Sequence, residues 1–395
     1  MDIDVEQVRA DTPACLEQAF LDAAGSALPS VQVVDTVIAH LRREAEVGGY
    51  VAMFEAEERI KACSVSLGRL VGLPASNIAI QTSATDAWMR GLQAIPLERS
   101  DRILTTRAEY GSNMLPMLQL SGQLGVSVEI IPDGPDGAAD PSALGELLDD
   151  RVKVVAITHA SSQNGRLVDA AAIGAQLRAV NSQAWYLLDA CQSVGQVPVD
   201  VPGIGCDVLA ATGRKFLRGP RGTGFLALSG RALAKLNPAY PDMFGSTWLG
   251  GESYESNPDA SRFQTFEMSY AGLLGLGVAA DHALGIGLPA IRERIGYLAQ
   301  TLRSLLDEVP GVRVLDVGTE KTGIVVFATS DEDAGTRAAE LRSQGITVVP
   351  VSRPTNPNDY DSYQSACVLR ASPHIYNTEA DLQALARALS SVRGS

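Results

Sequence analysis

The sequence predicts an α/β fold: a large domain built on a mostly parallel sheet, followed by a smaller α+β domain at the C-terminus. Three observations carry that reading. Short apolar runs bounded by turn residues, at 152–157, 185–188 and 208–211, have the length and composition of strands buried on both faces. Segments with helical spacing alternate with these runs, as in βαβ units. Beyond Leu288 the pattern changes to one long helix, 290–306, followed by short strands near 312, 324–328 and 347–351. At 395 residues the chain has room for two or three domains. The division implied is an N-terminal arm over 1–20, a large domain over 21–285 and a small domain over 286–395.

Taken in order, residues 20–29 form a small-residue turn. Val31, Val34, Val37, Ile38 and Leu41 recur at helical spacing and predict an amphipathic helix. Gly48 and Gly49 break it, leaving Tyr50 either at a plain helix stop or in a substrate-facing loop. A helix at 59–72 and a strand at 77–81 follow. Thr82-Ser83-Ala84-Thr85-Asp86 then opens a helix running through Leu92. A strand, a small-residue turn and a helix start bring free N–H groups and the helix dipole together as an anion site, although a plain Ser/Thr N-cap reads the same way. The strand at 102–105 leads to Glu109-Tyr110-Gly111-Ser112-Asn113, a helix and a strand at 128–131. Tyr110 is either packed at a strand end or offers an aromatic face to a ligand. The run at 152–157 ends in a polar stretch holding Ser162 and Asn164. Residues 236–257, rich in Gly, Pro and aromatics that include Trp248, read as a loop at a substrate or dimer surface, or as a packed loop. A small-residue helix covers 270–284, and the chain closes with a strand bearing Arg370 and a terminal helix.

Composition narrows the partners. Hydrophobic residues make up 46% and charged residues 20%, the proportions of a soluble globular enzyme. A formal net charge of −14 argues against nucleic acid and anionic membrane. No apolar run approaches the roughly 20 residues of a membrane span, and the acidic N-terminus is not that of a signal peptide. Five scattered cysteines read as reduced thiols, which predicts a cytoplasmic location. Four histidines without ligand spacing predict no metal site.

Asp189 and Lys215 each close an apolar run, 26 positions apart, about one crossover. A carboxylate and an amine at neighbouring strand ends suit pyridoxal phosphate, which needs a lysine for its Schiff base and an acid that keeps its ring nitrogen protonated. A structural Asp–Lys pair is the alternative. The surrounding residues separate the two. Asp-Ala-Cys-Gln-Ser-Val-Gly from 189 and Gly-Arg-Lys-Phe-Leu-Arg-Gly-Pro-Arg-Gly-Thr-Gly from 213 resemble the class V aminotransferase family, which includes cysteine desulfurases and isopenicillin N epimerase-like enzymes.

The resemblance implies a pyridoxal-phosphate-dependent transferase of fold type I with a seven-stranded-type sheet, and a homodimer with shared active sites. It implies Lys215 as the Schiff-base lysine, Asp189 on the pyridinium nitrogen and Gln192 on the ring hydroxyl. Ala84, Thr85, Thr212 and Arg214 would reach the phosphate. Tyr110 stands where many members place a histidine that stacks on the ring, and Ser162 or Asn164 takes the place of a desulfurase asparagine. The desulfurases' Gly-Thr that reaches the partner subunit's phosphate is missing near Phe266 and Glu267. The run Leu-Arg-Ala-Ser-Pro-His-Ile-Tyr-Asn-Thr from 369 resembles the family's carboxylate site. Arg370 would then clamp a substrate α-carboxylate, with pairing to a structural acid as the alternative.

Desulfurases also carry a nucleophilic cysteine on the loop before the arginine strand, and residues 351–357 contain none. Cys367, inside the strand, reads as a packed thiol. Segments 43–52, 108–113, 213–224 and 368–374 resemble the C–S lyase of ergothioneine biosynthesis and the pyridoxal-phosphate enzymes of lincosamide (lincomycin and celesticetin) biosynthesis. That resemblance implies β-cleavage of a cysteine S-conjugate to a thiol, pyruvate and ammonia, with Tyr50 and Trp248 on the variable half of the substrate. Decarboxylation-coupled oxidative deamination to an aldehyde, transamination or epimerisation, and a non-enzymatic scaffold are the alternatives.

Overall fold

The computed structural model describes residues 3–180, 182–330 and 333–390. The first amphipathic stripe forms α1 (Val31–Val47), which ends where Gly48 adopts a φ of 89°. The chain does not open into a loop there. It resumes at once as α2 (Gly49–Glu55) and then α3 (Glu57–Val71). One left-handed residue suffices for the corner, and Arg43 spans it by forking onto both carboxylate oxygens of Glu55 at 2.7 Å.

The large sheet is built from β1 (Ile78–Gln81), β2 (Arg102–Thr105), β3 (Ser127–Ile130), β4 (Val152–Thr158), β5 (Trp185–Asp189), β6 (Val208–Thr212) and β7 (Gly224–Leu228). Helices α4 (Ala84–Gln93), α5 (Gly111–Leu124) and α6 (Ala170–Ala179) lie among its crossovers. The strand order is β1-β7-β6-β5-β4-β2-β3, with β7 antiparallel to both neighbours and every other adjacent pair parallel. The sequence reading placed no strand at 224–228, the span of β7. Its insertion makes β1 run in the same direction as β6, so the turns after Gln81, Thr105, Thr158, Asp189 and Thr212 share one edge of the sheet. That edge, at the carboxyl ends of the strands, is where α/β sheets place ligands. Trp88, Leu92, Ile103, Leu187 and Leu226 belong to one apolar cluster against the sheet, and Leu104, Leu188, Phe225 and Leu276 to another. Removing a side chain such as Trp88 would cost about 3–5 kcal/mol.

Residues 246–256, expected as loop, form a hairpin of β8 (Ser246–Gly250) and β9 (Ser253–Ser256) that stands largely in solvent. Two helices, α7 (Tyr270–Ile286) and α8 (Leu288–Asp307), lead into the smaller domain. Its sheet joins β10 (Arg313–Val314), β11 (Val325–Ala328), β12 (Val349–Pro350) and β13 (Val368–Ala371) in the antiparallel order β10-β11-β13-β12. Helices α9 (Ala334–Ser343) and α10 (Glu379–Ser390) complete it. The strand expected over 347–351 is divided. Residues Ile346 and Thr347 pair in parallel with Ala19 and Phe20, while Val349 and Pro350 pair with β13. The N-terminal arm is therefore stitched into the small domain, and Ala19 and Leu21 pack in its core beside Leu298, Phe327 and Leu369.

Candidate active site

Each large-domain group of the site follows the end of a strand. Asp189 closes β5 and is buried. Its Oδ1 accepts the Cys191 N–H at 2.8 Å and its Oδ2 accepts Asn113 Nδ2 at 2.6 Å. Burial pushes its carboxyl above the usual carboxylate range, against the pull of these hydrogen bonds and of the Lys215 charge. Lys215, in the turn after β6, is also buried and reaches the Cys191 thiol. Burial raises that thiol's pKa despite the nearby lysine, so Cys191 stays a thiol and not a thiolate.

Lys215, Tyr110, Gln192, Arg214, Ser162 and Arg370 all line one cavity of about 310 Å³. The sequence reading had selected all six. Tyr110 is half-buried and starts α5. Gln192 donates from Nε2 to the Ala24 carbonyl at 3.1 Å, and its Oε1 is buried without a partner. Arg370 comes from β13 in the small domain. Its Nη1 donates to the Ser162 carbonyl at 2.9 Å and its Nη2 to Asp22 Oδ1 at 3.1 Å, while Nε is buried and unpartnered. The arginine thus has both things foreseen for it: a place in the cavity and an acid partner. Asp22 itself lines the cavity, and the sequence reading had not selected it.

Ala84, Thr85 and Thr212 gather at an adjoining corner. Thr212 and Gln81 both pair with Gly224, which brings the ends of β6 and β1 to either side of β7. A Cβ on Gly224 would lie 2.7 Å from the Ser83 carbonyl carbon and 3.0 Å from the Ala84 nitrogen. Only glycine lets β7 pass so close to the start of α4. Ala84 and Thr85 open that helix behind the Ser83 cap, so free N–H groups point out of it. Arg214 links this corner to the cavity by donating from Nη1 to Thr212 Oγ1 at 3.2 Å.

Three selected residues stand elsewhere. Asn164 is committed on both sides, donating to Asp359 Oδ2 at 2.7 Å and accepting the Arg166 N–H at 3.1 Å, and it does not line the cavity. Tyr50 is 65% exposed and faces Phe266, ring centres 6.3 Å apart, over a separate cavity of about 570 Å³. Trp248, 75% exposed on the β8–β9 hairpin, donates its indole N–H to the Gly251 carbonyl. A single chain does not bring Tyr50 or Trp248 to Lys215.

Sequence reasoning also passed over Glu109 and Asn113. Glu109 is buried and accepts from the Tyr110 N–H, Asn113 Nδ2, Thr105 Oγ1 and Thr158 Oγ1. Burial and the charge of Asp189 push its carboxyl up to about 7. Its signal was an acid in the turn after β2, next to the selected Tyr110.

A buried amine beside a buried carboxylate, an orphaned amide oxygen facing the same space, and a helix N-terminus with an arginine at the next corner fit pyridoxal phosphate. Comparison with known proteins agrees. The aminotransferase class-V model matches residues 19–385, so the chain belongs to that family and is a pyridoxal-phosphate-dependent enzyme of fold type I. It is 31% identical over 373 residues to a probable hercynylcysteine sulfoxide lyase of Mycobacterium tuberculosis, covering 93% of this chain and 89% of that one. It is 26% identical over 397 residues to a probable cysteine desulfurase of Methanothermobacter thermautotrophicus, covering 98% of each. Its fold matches that of the apo cysteine desulfurase of Thermococcus onnurineus NA1 with a TM-score of 0.90, at 22% identity, over 99% of this chain and 98% of that one.

Proposed function

We propose that this enzyme is a carbon–sulfur β-lyase that cleaves a cysteine S-conjugate, of the kind met in lincosamide or ergothioneine biosynthesis, with water to a thiol, pyruvate and ammonia. The observation that carries the reading is Arg370 facing Lys215 across one cavity whose small-domain wall, Val349 to Ser352 and Thr355, holds no cysteine to accept sulfur. Pyridoxal phosphate, when bound, withdraws electrons from the substrate's α-carbon, which makes the α-proton acidic and lets a β-thiolate depart.

The chain supplies the rest. Arg370 holds the α-carboxylate, and Lys215 is the base that takes the α-proton, which can then pass to the departing thiolate. With the cofactor bound, Asp189 would keep the ring nitrogen protonated, Gln192 would meet the ring hydroxyl and Tyr110 would lie against the ring. Arg214, Thr212 and the start of α4 with Ala84 and Thr85 hold the phosphate. Cys191, a half-buried thiol beside Lys215 whose pKa desolvation raises, is poorly suited to take sulfur from a substrate. The enzyme works as a cytoplasmic homodimer with shared sites. Tyr50, Phe54, Trp248, Leu249 and Tyr254 are exposed apolar groups that a second copy would cover, with Tyr50 and Trp248 then near the variable half of the substrate. The 31% identity to a sulfoxide lyase supports the conjugate as substrate.

Product analysis by mass spectrometry tests the reading. A cysteine S-conjugate should give thiol, pyruvate and ammonia in equal amounts. An aldehyde with CO₂ release and O₂ uptake would replace it with oxidative deamination, and a persulfide on the protein would replace it with desulfuration.

A further inference from the structure

We propose that Asn113 and Glu109 are positioning residues that hold Asp189 on the ring nitrogen of pyridoxal phosphate, acting through one shared amide. Asn113 lies in the first turn of α5 and is 2% exposed. Its Nδ2 donates to Asp189 Oδ2 at 2.6 Å and to Glu109 Oε1 at 2.8 Å. An amide nitrogen has two hydrogens, so both are used. Turned over, the amide would present its oxygen to two carboxyls. Its orientation is therefore fixed, and with it one oxygen of Asp189. The Cys191 N–H fixes the other at 2.8 Å.

Glu109 is the anchor of this unit. Thr105 from β2, Thr158 from β4 and the backbone of Tyr110 donate to it, so it cannot follow Asn113 if that side chain moves. The charged and titratable groups facing the pair are few: Glu109 from the β2–α5 segment, Cys191 after β5 and Lys215 after β6. Asn113 also keeps two buried carboxyls apart. Without it, Asp189 and Glu109 could share one proton directly, and Asp189 would lose the charge that holds the ring nitrogen's proton. Burial raises both carboxyls, and the charge of Asp189 adds to the rise at Glu109.

The inference rests on the cofactor and not on the proposed C–S cleavage, so its test uses the holoenzyme without substrate. Two quantities are read: the pH midpoint of the cofactor's visible band and the rate of cofactor loss on dialysis. Asn113→Leu, similar in size and without donors, should lose cofactor about tenfold faster and move the midpoint by about half a unit or more. Glu109→Gln can keep the geometry, because its amide oxygen can take the three donors at Oε1 while its nitrogen donates to the Thr105 hydroxyl. It should retain cofactor within about threefold of wild type yet still shift the midpoint. Circular dichroism reports folding, and Asn113→Ser carries the same expectation should the leucine variant fail to fold. Unchanged midpoint and retention in folded variants would overturn the proposal, even if turnover fell.

Discussion

Arg370 offers the sharpest test of how the cavity selects its substrate. It and Asp22 are largely buried, with side chains 14% and 16% exposed and 3.1 Å between Nη2 and Oδ1. At an effective dielectric near 20, unit charges at that distance attract by about 5 kcal/mol, before the cost of desolvating them is subtracted. A substrate carboxylate must share the guanidinium with Asp22 or displace it. Arg370→Ala should cost about 2–5 kcal/mol, a loss in kcat/KM of roughly thirty-fold to several-thousand-fold. Asp22→Asn keeps the shape and the turn bond from the Gly25 N–H, but removes the competing charge. Its KM for an amino-acid conjugate should fall about threefold or more. Steady-state pyruvate release at fixed ionic strength, with kcat and KM separated, reads both variants. If Asp22→Asn raised KM as far as Arg370→Ala does, Asp22 would be an aligner of the arginine, and the idea of competition would be refuted.

Three further outcomes are expected. Lys215→Ala should lose the cofactor's visible band, and borohydride should fix no cofactor to the 213–224 peptide; fixation there would move the imine to another residue. His159 and His374 are buried and neutral, their pKa values lowered by burial to about 4 and about 3. The unfolded chain takes up those protons near 6.5, so stability present above that pH should fall as pH drops from about 6.5 toward 4. Thermal melts between pH 7.5 and 5 check this in the Glu109→Gln variant, which removes an acid that gains stability over the same range, and a Tm that rises on acidification there would contradict it. Trp248→Ala with Tyr254→Ala should raise the dimer dissociation constant about tenfold or more while leaving the monomer's circular dichroism unchanged, which sedimentation at graded concentrations reads.

What could be read from the sequence was local. Buried parallel strands are apolar throughout and end abruptly in polar residues, so Asp189 and Lys215 declared themselves by contrast with the residues before them. Arg370 was legible because a motif surrounds it. Other features depend on contacts that leave no periodicity. Asn164 looked like a site residue until the fold placed it on Asp359, 195 positions away. Strand β7 was hidden because its first residue, Gly224, is glycine for the sake of a helix start far behind it in the chain. The corner at Gly48 misled in the opposite sense. Two adjacent glycines read as a break, yet only the first leaves helical geometry and the second begins a new helix. An aromatic residue in a polar stretch, such as Trp248, gives no sign of whether it faces a wall or water.

The stitching of the N-terminal arm into the small domain also sets an order of assembly. Asp22 and Arg370 are 348 positions apart, and the Ala19–Phe20 pairing waits on Ile346 and Thr347. At about 5–20 residues per second, a ribosome needs roughly 20–70 s between delivering the first of these partners and the last. Through that interval the large sheet can form, but Leu21 has no core to enter and the catalytic cavity has no far wall. A chain cut short before β13 could therefore fold most of its sheet and still lack the Arg370 wall of the cavity. The Arg370–Asp22 pair is then among the last features to form on each new molecule.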